Sequence, residues 1–242
     1  MSSAFGSELD GTAAMIALNS RIKADPKNAQ LYIERGKFYD KNFDFDLAIA
    51  DMTHAIELKP SATAYAERAR VYQNEEKFDL ALADFEKAAV LDPKDQSVFS
   101  DLGALEEELH NYEKAVVAFS RLLALNPNRC VERTHRAGDY LSMHKPAEAL
   151  KDLQLVLKLD PDRRGAIHEV LGSVYMELKQ YDKAVQAFDI AIARENMKPK
   201  ALAQRAEAYD KLNKPELAKR DRVTLKNLQS EVFGEAPFRT KP

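Results

Sequence analysis

Residues 45–60 read FDLAIADMTHAIELKP, and residues 78–93 read FDLALADFEKAAVLDP. The second stretch restates the first at a spacing of 33 residues. Their shared alanines, Ala48 and Ala81, recur as Ala115, Ala149, Ala184 and Ala218, in steps of 33, 34, 34, 35 and 34 residues, and Ala14 lies 34 residues before Ala48. Self-similarity at this period indicates a stack of supersecondary units, none of which can bury its apolar face alone. Such a chain presents an extended surface, so binding is expected ahead of catalysis.

With the recurrent alanine counted as position 20, repeats begin at Ala29, Ala62, Gln96, Cys130, Gly165 and Pro199. Position 8 is always small (Gly36, Ala69, Gly103, Ala137, Gly172, Ala206). Position 11 is Tyr39, Tyr72, Glu106, Tyr140, Tyr175 and Tyr209, and position 24 is Met52, Phe85, Phe119, Leu153, Phe188 and Arg222. Position 17 is Phe45, Phe78, Tyr112, Pro146, Tyr181 and Pro215. Position 32 is Pro60, Pro93, Pro127 and Pro161 in the first four repeats. Apolar residues at i, i+3, i+4 and i+7 place one stripe on each of two helices per repeat, A then B. The small residues at 8 and 20 let A and B approach closely. Proline at 32 ends helix B, because it lacks an N–H and disfavours helix at the residue before it. Asp92, Asn126 and Asp160 beside these prolines suit turns and the N-caps of the next helix.

Composition agrees. Of 242 residues, 45% are apolar and only 8 are Gly, which favours helices and leaves ample material for a core. The net charge of −3 shows neither a nucleic-acid nor an anionic-membrane footprint. The single cysteine, Cys130, can form no internal disulfide. No secretory signal or membrane span is visible, so a cytoplasmic protein is expected.

These residues resemble the tetratricopeptide repeat family, on the small residue at 8, Tyr at 11, Tyr or Phe at 17, Ala at 20, Phe at 24 and Pro at 32. The resemblance implies an all-α, right-handed α-solenoid of six helix-turn-helix repeats, here with an N-terminal half-repeat helix, and with A helices lining a concave groove. The expected organisation is a flexible N-terminus over 1–11, a single array over 12–228 opening with a half repeat at 12–26, and a flexible tail over 229–242. Position 4 departs from the family pattern at Arg133 and His168, and position 11 at Glu106.

Four repeats carry Arg at position 7 (Arg35, Arg68, Arg136, Arg205), and the same four carry Asp at position 23 (Asp51, Asp84, Asp152, Asp221). The other two have Leu102 with Ala118 and Leu171 with Ala187. Family geometry sets 7 opposite 23, so an Arg–Asp pair is expected inside each of the four repeats, its planar fork meeting a carboxylate twice.

The groove positions implied by the resemblance include Glu34, Lys37, Glu67, Arg70, Asp101, Glu108, Thr134, His135, Val170, Ser173, Met176 and Gln204. Over the groove positions ten acids stand against five bases, while repeats four and five are milder, with small and apolar residues. The carboxylate clamp with which co-chaperone members hold acidic chaperone tails needs Lys and Asn in the first repeat, Asn in the second, and Lys and Arg in the third. Here those places hold Ile33, Lys37, Glu67, Ser97 and Asp101, so the clamp is absent. No phosphate loop or nucleophile elbow occurs. His135 and His168 with Glu169 make too thin a set for a metal, and Cys130 has no orienting base, so neither cofactor nor catalysis is expected. The expected function is therefore a non-catalytic interaction scaffold or adaptor, a monomer, that binds a neutral or basic peptide or helix of another protein. The alternative is a dedicated chaperone that shields a segment of a client. Val232, Phe233 and Phe238 give a further expectation to test, a tail that folds back into the groove.

Overall fold

The computed structural model describes the backbone of residues 2–161, 164–194 and 199–233, and the side chains of 13–161, 167–193 and 199–228. Thirteen helices and no strand occur among the described residues. They form two compact units, residues 1–109 and 110–242. The boundary falls inside repeat three. Repeats in a stacked array pack chiefly against their neighbours, so the core is a series of local clusters.

The N-terminal unit holds α1 (Ser2–Ala24), α2 (Ala29–Lys41), α3 (Phe45–Leu58), α4 (Ala62–Asn74), α5 (Phe78–Leu91) and α6 (Gln96–Glu108). The C-terminal unit holds α7 (Tyr112–Leu125), α8 (Cys130–Ser142), α9 (Pro146–Leu159), α10 (Arg164–Glu177), α11 (Tyr181–Arg194), α12 (Pro199–Lys211) and α13 (Pro215–Phe233). Helix A opens at position 1 in five repeats and one residue earlier in repeat five; helix B opens at position 17 in all six. Both array ends differ from the sequence expectation. Helix α1 begins at Ser2 rather than near 12, and α13 runs to Phe233, past the expected tail start at 229. Extending a helix already anchored by packing costs little per residue, so its ends outrun the apolar stripe. The side chains of Val232, Phe233 and Phe238 lie outside the described residues.

Close approach of A and B within a repeat is visible at position 8. A Cβ on Gly36 would lie 2.9 Å from Met52 and 3.2 Å from the Ala48 carbonyl, and one on Gly172 would lie 2.3 Å from the Phe188 ring. The position-20 alanines are completely buried, as are Met52, Phe85, Leu153 and Phe188 at position 24. In the N-terminal unit Leu18 and Ile22 of α1 pack with Leu31, Ile33 and Met52, and Ala69, Phe85, Val98 and Leu105 continue the core. In the C-terminal unit Leu153, Val156, Ile167 and Val174 form one cluster and Ala184, Phe188 and Ala201 another.

The caps differ in detail from the sequence reading. Asp92, Asn126 and Asp160 terminate B helices, and Asp92 and Asn126 accept the N–H two residues on in Asx turns. Three A helices, α2, α4 and α6, are capped instead by Asn28, Ser61 and Asp95, which accept backbone N–H groups of the first turn. Burial alone would push the Asp95 carboxyl up. The Ser97 hydroxyl, the N–H groups of Ser97 and Val98, and nearby Arg70 together hold it below its ordinary value. The A-to-B turn places Phe43, Glu76, His110, His144, Lys179 and Asn213, every one at position 15, at φ between 55° and 63°.

Candidate functional site: the A-helix faces

In the N-terminal unit the exposed face of α2, α4 and α6 carries Glu34, Lys37, Glu67, Arg70, Asp101 and Glu108. Most are already engaged. Arg21 of α1 reaches Glu34 at 2.9 Å, and Lys37 donates to Glu67 at 2.8 Å. Arg70 meets the same Glu67 oxygen at 2.9 Å and donates through Nε to Asp101 at 2.8 Å. Gln73 donates to Glu108 at 3.4 Å, and Asn74 to Asp40 at 2.9 Å. The result is a ladder of alternating charge from α1 through α2 and α4 to α6. Burial opposes the Arg70 charge, but Asp101 and Glu67 outweigh it and raise its pKa. The acid excess counted along the sequence is thus largely compensated locally. The Arg21–Glu34 pair, the most exposed of them, contributes about 0–1 kcal/mol, whereas Glu67, with its side chain 14% exposed, and Arg70 are half-buried.

In the C-terminal unit the face of α8, α10 and α12 is built differently. Val131 is 43% exposed and His135 is exposed, its ring 5.9 Å from that of Phe119. A Cβ added at Gly138 would meet nothing within 4 Å, so open space stands over the middle of α8. Leu141, Val170 and Met176 are half-buried. The Thr134 hydroxyl donates to its own helix at the Cys130 carbonyl, 2.8 Å away. Ser173 is buried rather than open, and its hydroxyl donates to Gln204 at 2.9 Å, joining α10 to α12. Lys200 lies 3.7 Å from Glu169, and the His144 ring 3.1 Å from Glu177. Apolar residues beside a small-residue gap, edged by polar groups, can take an apolar side chain.

The residues at positions 7 and 23 lie beneath these faces. Arg35, Arg68, Arg136 and Arg205 each donate through Nε and Nη2 to both oxygens of Asp51, Asp84, Asp152 and Asp221, at 2.6–2.9 Å. The four carboxylates are buried. Hydrogen bonds donated to Asp51, Asp84 and Asp221, foremost, raise the pKa of Arg35, Arg68 and Arg205 against the opposing effect of burial. A tyrosine at position 11 faces each guanidinium at 5.7–5.9 Å. Each arginine also has a third partner that the sequence reading missed. Through Nη1 it donates to the preceding B helix, at Asn19, Thr53, Ser120 and Asp189 respectively. The signal was available: position 25 holds these short polar residues before an Arg-bearing repeat, but Glu86 and Gln154 before the two Leu-bearing ones. In repeat four the departure at Arg133 adds a second guanidinium to Asp152, at 2.9 Å, and bonds the Pro127 carbonyl at 2.7 Å. Glu106 and His168, the other departures, are buried.

Among the described residues no group of three His, Cys, Asp or Glu could hold a metal ion, and no helix is long and apolar enough to cross a membrane. Cys130 is a free, half-buried thiol at the start of α8.

Comparison with known proteins follows the same lines. Tetratricopeptide repeat profiles match residues 29–61, 66–129 and 136–198. Anaphase-promoting complex subunit 3 of Schizosaccharomyces pombe is 23% identical over 217 residues, 89% of this chain, which spans 32% of that protein's length. Among solved structures, YrrB, a TPR protein with an unusual peptide-binding site, is similar with a TM-score of 0.70 and 25% identity, over 77% of this chain and 96% of its own. The Cut9–Hcn1 hetero-tetramer of the APC/C is similar with a TM-score of 0.60 and 18% identity, over 94% of this chain and 44% of that one.

Proposed function

The chain belongs to the tetratricopeptide repeat family, and from that premise we propose that it is a non-catalytic scaffold or adaptor that captures a peptide or helix of another protein on its A-helix faces. The observation that carries this reading is the strip formed by Val131, Leu141, Val170 and Met176 around the open space at Gly138. An aliphatic or aromatic anchor fits there, because it would displace water from apolar surface and leave no buried polar group unpaired. The partner segment is neutral or basic, since Glu169, Glu177, Glu207 and Asp210 belong to the A-helix positions of this unit against Lys200 and Lys211, with Arg222 of α13 paired to Asp210. YrrB, with its peptide-binding site, supports the same class of ligand.

The test is capture from native lysate with wild type beside Val170→Glu, followed by a peptide array of whatever wild type retains. The expected result is a partner whose binding peptide carries an apolar anchor and is lost by the variant, while the variant, though less stable for the loss of Val170 packing, keeps a cooperative thermal melt above the capture temperature. An unchanged partner set would sink the proposal.

A further inference from the structure

The B-helix side of the N-terminal unit carries exposed apolar side chains that its core does not use. Leu47 and Leu80, both at position 19, are 51% and 50% exposed, and Phe43, in the turn before α3, is 80% exposed. Three residues on, on the same helix face, stand Ala50 and Ala83, also exposed. Each leucine ridge therefore borders an alanine hollow, the relief that accepts the aliphatic side chains of a helix. The surrounding exposed groups are mostly acidic, Asp44, Asp46, Glu76 and Asp79, against Lys41. Lys77, at the same edge, is bound to Glu75 at 2.9 Å.

The chain supplies its own comparison. At position 19 repeats three, four and five have Lys114, Glu148 and Lys183, while repeat six has a half-buried Leu217, and at position 15 every repeat but the first is polar. The fold does not require leucine or phenylalanine at these places. An exposed Phe at φ 63° is also strained, because a bulky side chain in the left-handed region meets its own backbone.

We propose that the start of α3 and α5, with Phe43, Leu47 and Leu80 ringed by Asp44, Asp46, Glu76 and Asp79, is a second docking surface, separate from the A-helix faces, and that it takes a basic amphipathic helix of another protein. The acids steer a cationic segment to the edge, and the leucines and phenylalanine receive its apolar stripe.

The probe is a designed 15-residue helix with leucines at i, i+3, i+4 and i+7 and lysines elsewhere, with a scrambled peptide of the same composition as control. Binding is followed by fluorescence anisotropy and by methyl NMR of the full chain. Leu47→Lys with Leu80→Lys, which copies the residues of repeats three and five, is compared with wild type and with Val170→Glu. The amphipathic peptide should bind wild type and Val170→Glu alike, shift the Leu47 and Leu80 methyls, and weaken roughly tenfold or more with the double lysine variant. Equal affinity for the scrambled peptide, shifts confined to the A-helix faces, or no loss in the lysine variant would each overturn the proposal. Binding of anionic lipid vesicles through the same leucines would overturn it too, since an acidic rim repels them.

Discussion

At the scale of single residues, the turn between A and B shows how backbone geometry can outrun the sequence signal. All six position-15 residues sit in the left-handed region and none is glycine. The geometry closes the turn: the N–H of Lys77 reaches back to the Tyr72 carbonyl at 2.8 Å, and Lys145 does the same to Tyr140. A Cβ in this conformation costs energy that glycine avoids, while glycine loses more entropy on folding. Glu76 is exposed and forms no part of the ladder. Glu76→Gly should therefore raise stability, by up to about 1 kcal/mol, with Glu76→Ala close to wild type. Urea titration decides it; a loss of stability in the glycine variant would show that the turn is held by something other than its dihedral. The turn itself could be placed from the sequence, by the gap between two apolar stripes. Its handedness could not, because the residue that normally announces it is missing.

At the scale of helices, the Arg–Asp forks explain why so much of the pairing was legible. Positions 7 and 23 change together through all six repeats, which signals a contact even in one sequence. The third leg to position 25 was equally written in the residues but lies between repeats, and a reading that treats each repeat alone passes over it. Repeats three and five show the alternative solution, Leu with Ala, which is why the fork can be tested cleanly. Arg68 and Asp84 have side chains 17% and 9% exposed. Asp84→Ala leaves a half-buried guanidinium without its carboxylate and should cost roughly 3 kcal/mol. Adding Arg68→Leu restores the combination of repeats three and five and should recover more than half of that loss. Chemical denaturation of both variants measures it, and an equal loss in the two would show that Asp84 acts independently of Arg68. The ladder on the N-terminal A-helix face belongs at this scale as well. Its acids could be counted along the sequence, but their cations could not be assigned, because Arg21, Lys37 and Arg70 reach from one element to the next.

At the scale of the whole chain, each repeat depends on its neighbours, and the two ends of the array are finished differently. At the far end α13 has exposed Arg222 at position 24, paired with Asp210, where earlier B helices bury Met52, Phe85 or Phe188. At the near end α1 supplies a B helix without its own A helix. Leu18 and Ile22 are 9% and 8% exposed and lie against Leu31 and Ile33 of α2, each 3% exposed. Arg35 and Glu34 add polar links to Asn19 and Arg21. Burying each aliphatic side chain contributes roughly 1.5–3 kcal/mol, and stability in a stacked array is a sum of repeat terms and nearest-neighbour interfaces. Deleting residues 1–25 should therefore act locally: it uncovers the apolar side of α2 and removes the interface term at that end alone. Hydrogen exchange should show amides of α2 and α3 losing protection first, with a smaller loss in α4 and α5. Restoring only residues 12–25 should return most of that protection, because Leu18 and Ile22 lie there. Undiminished protection of α2 after the deletion would mean that its apolar side is covered by something other than Leu18 and Ile22.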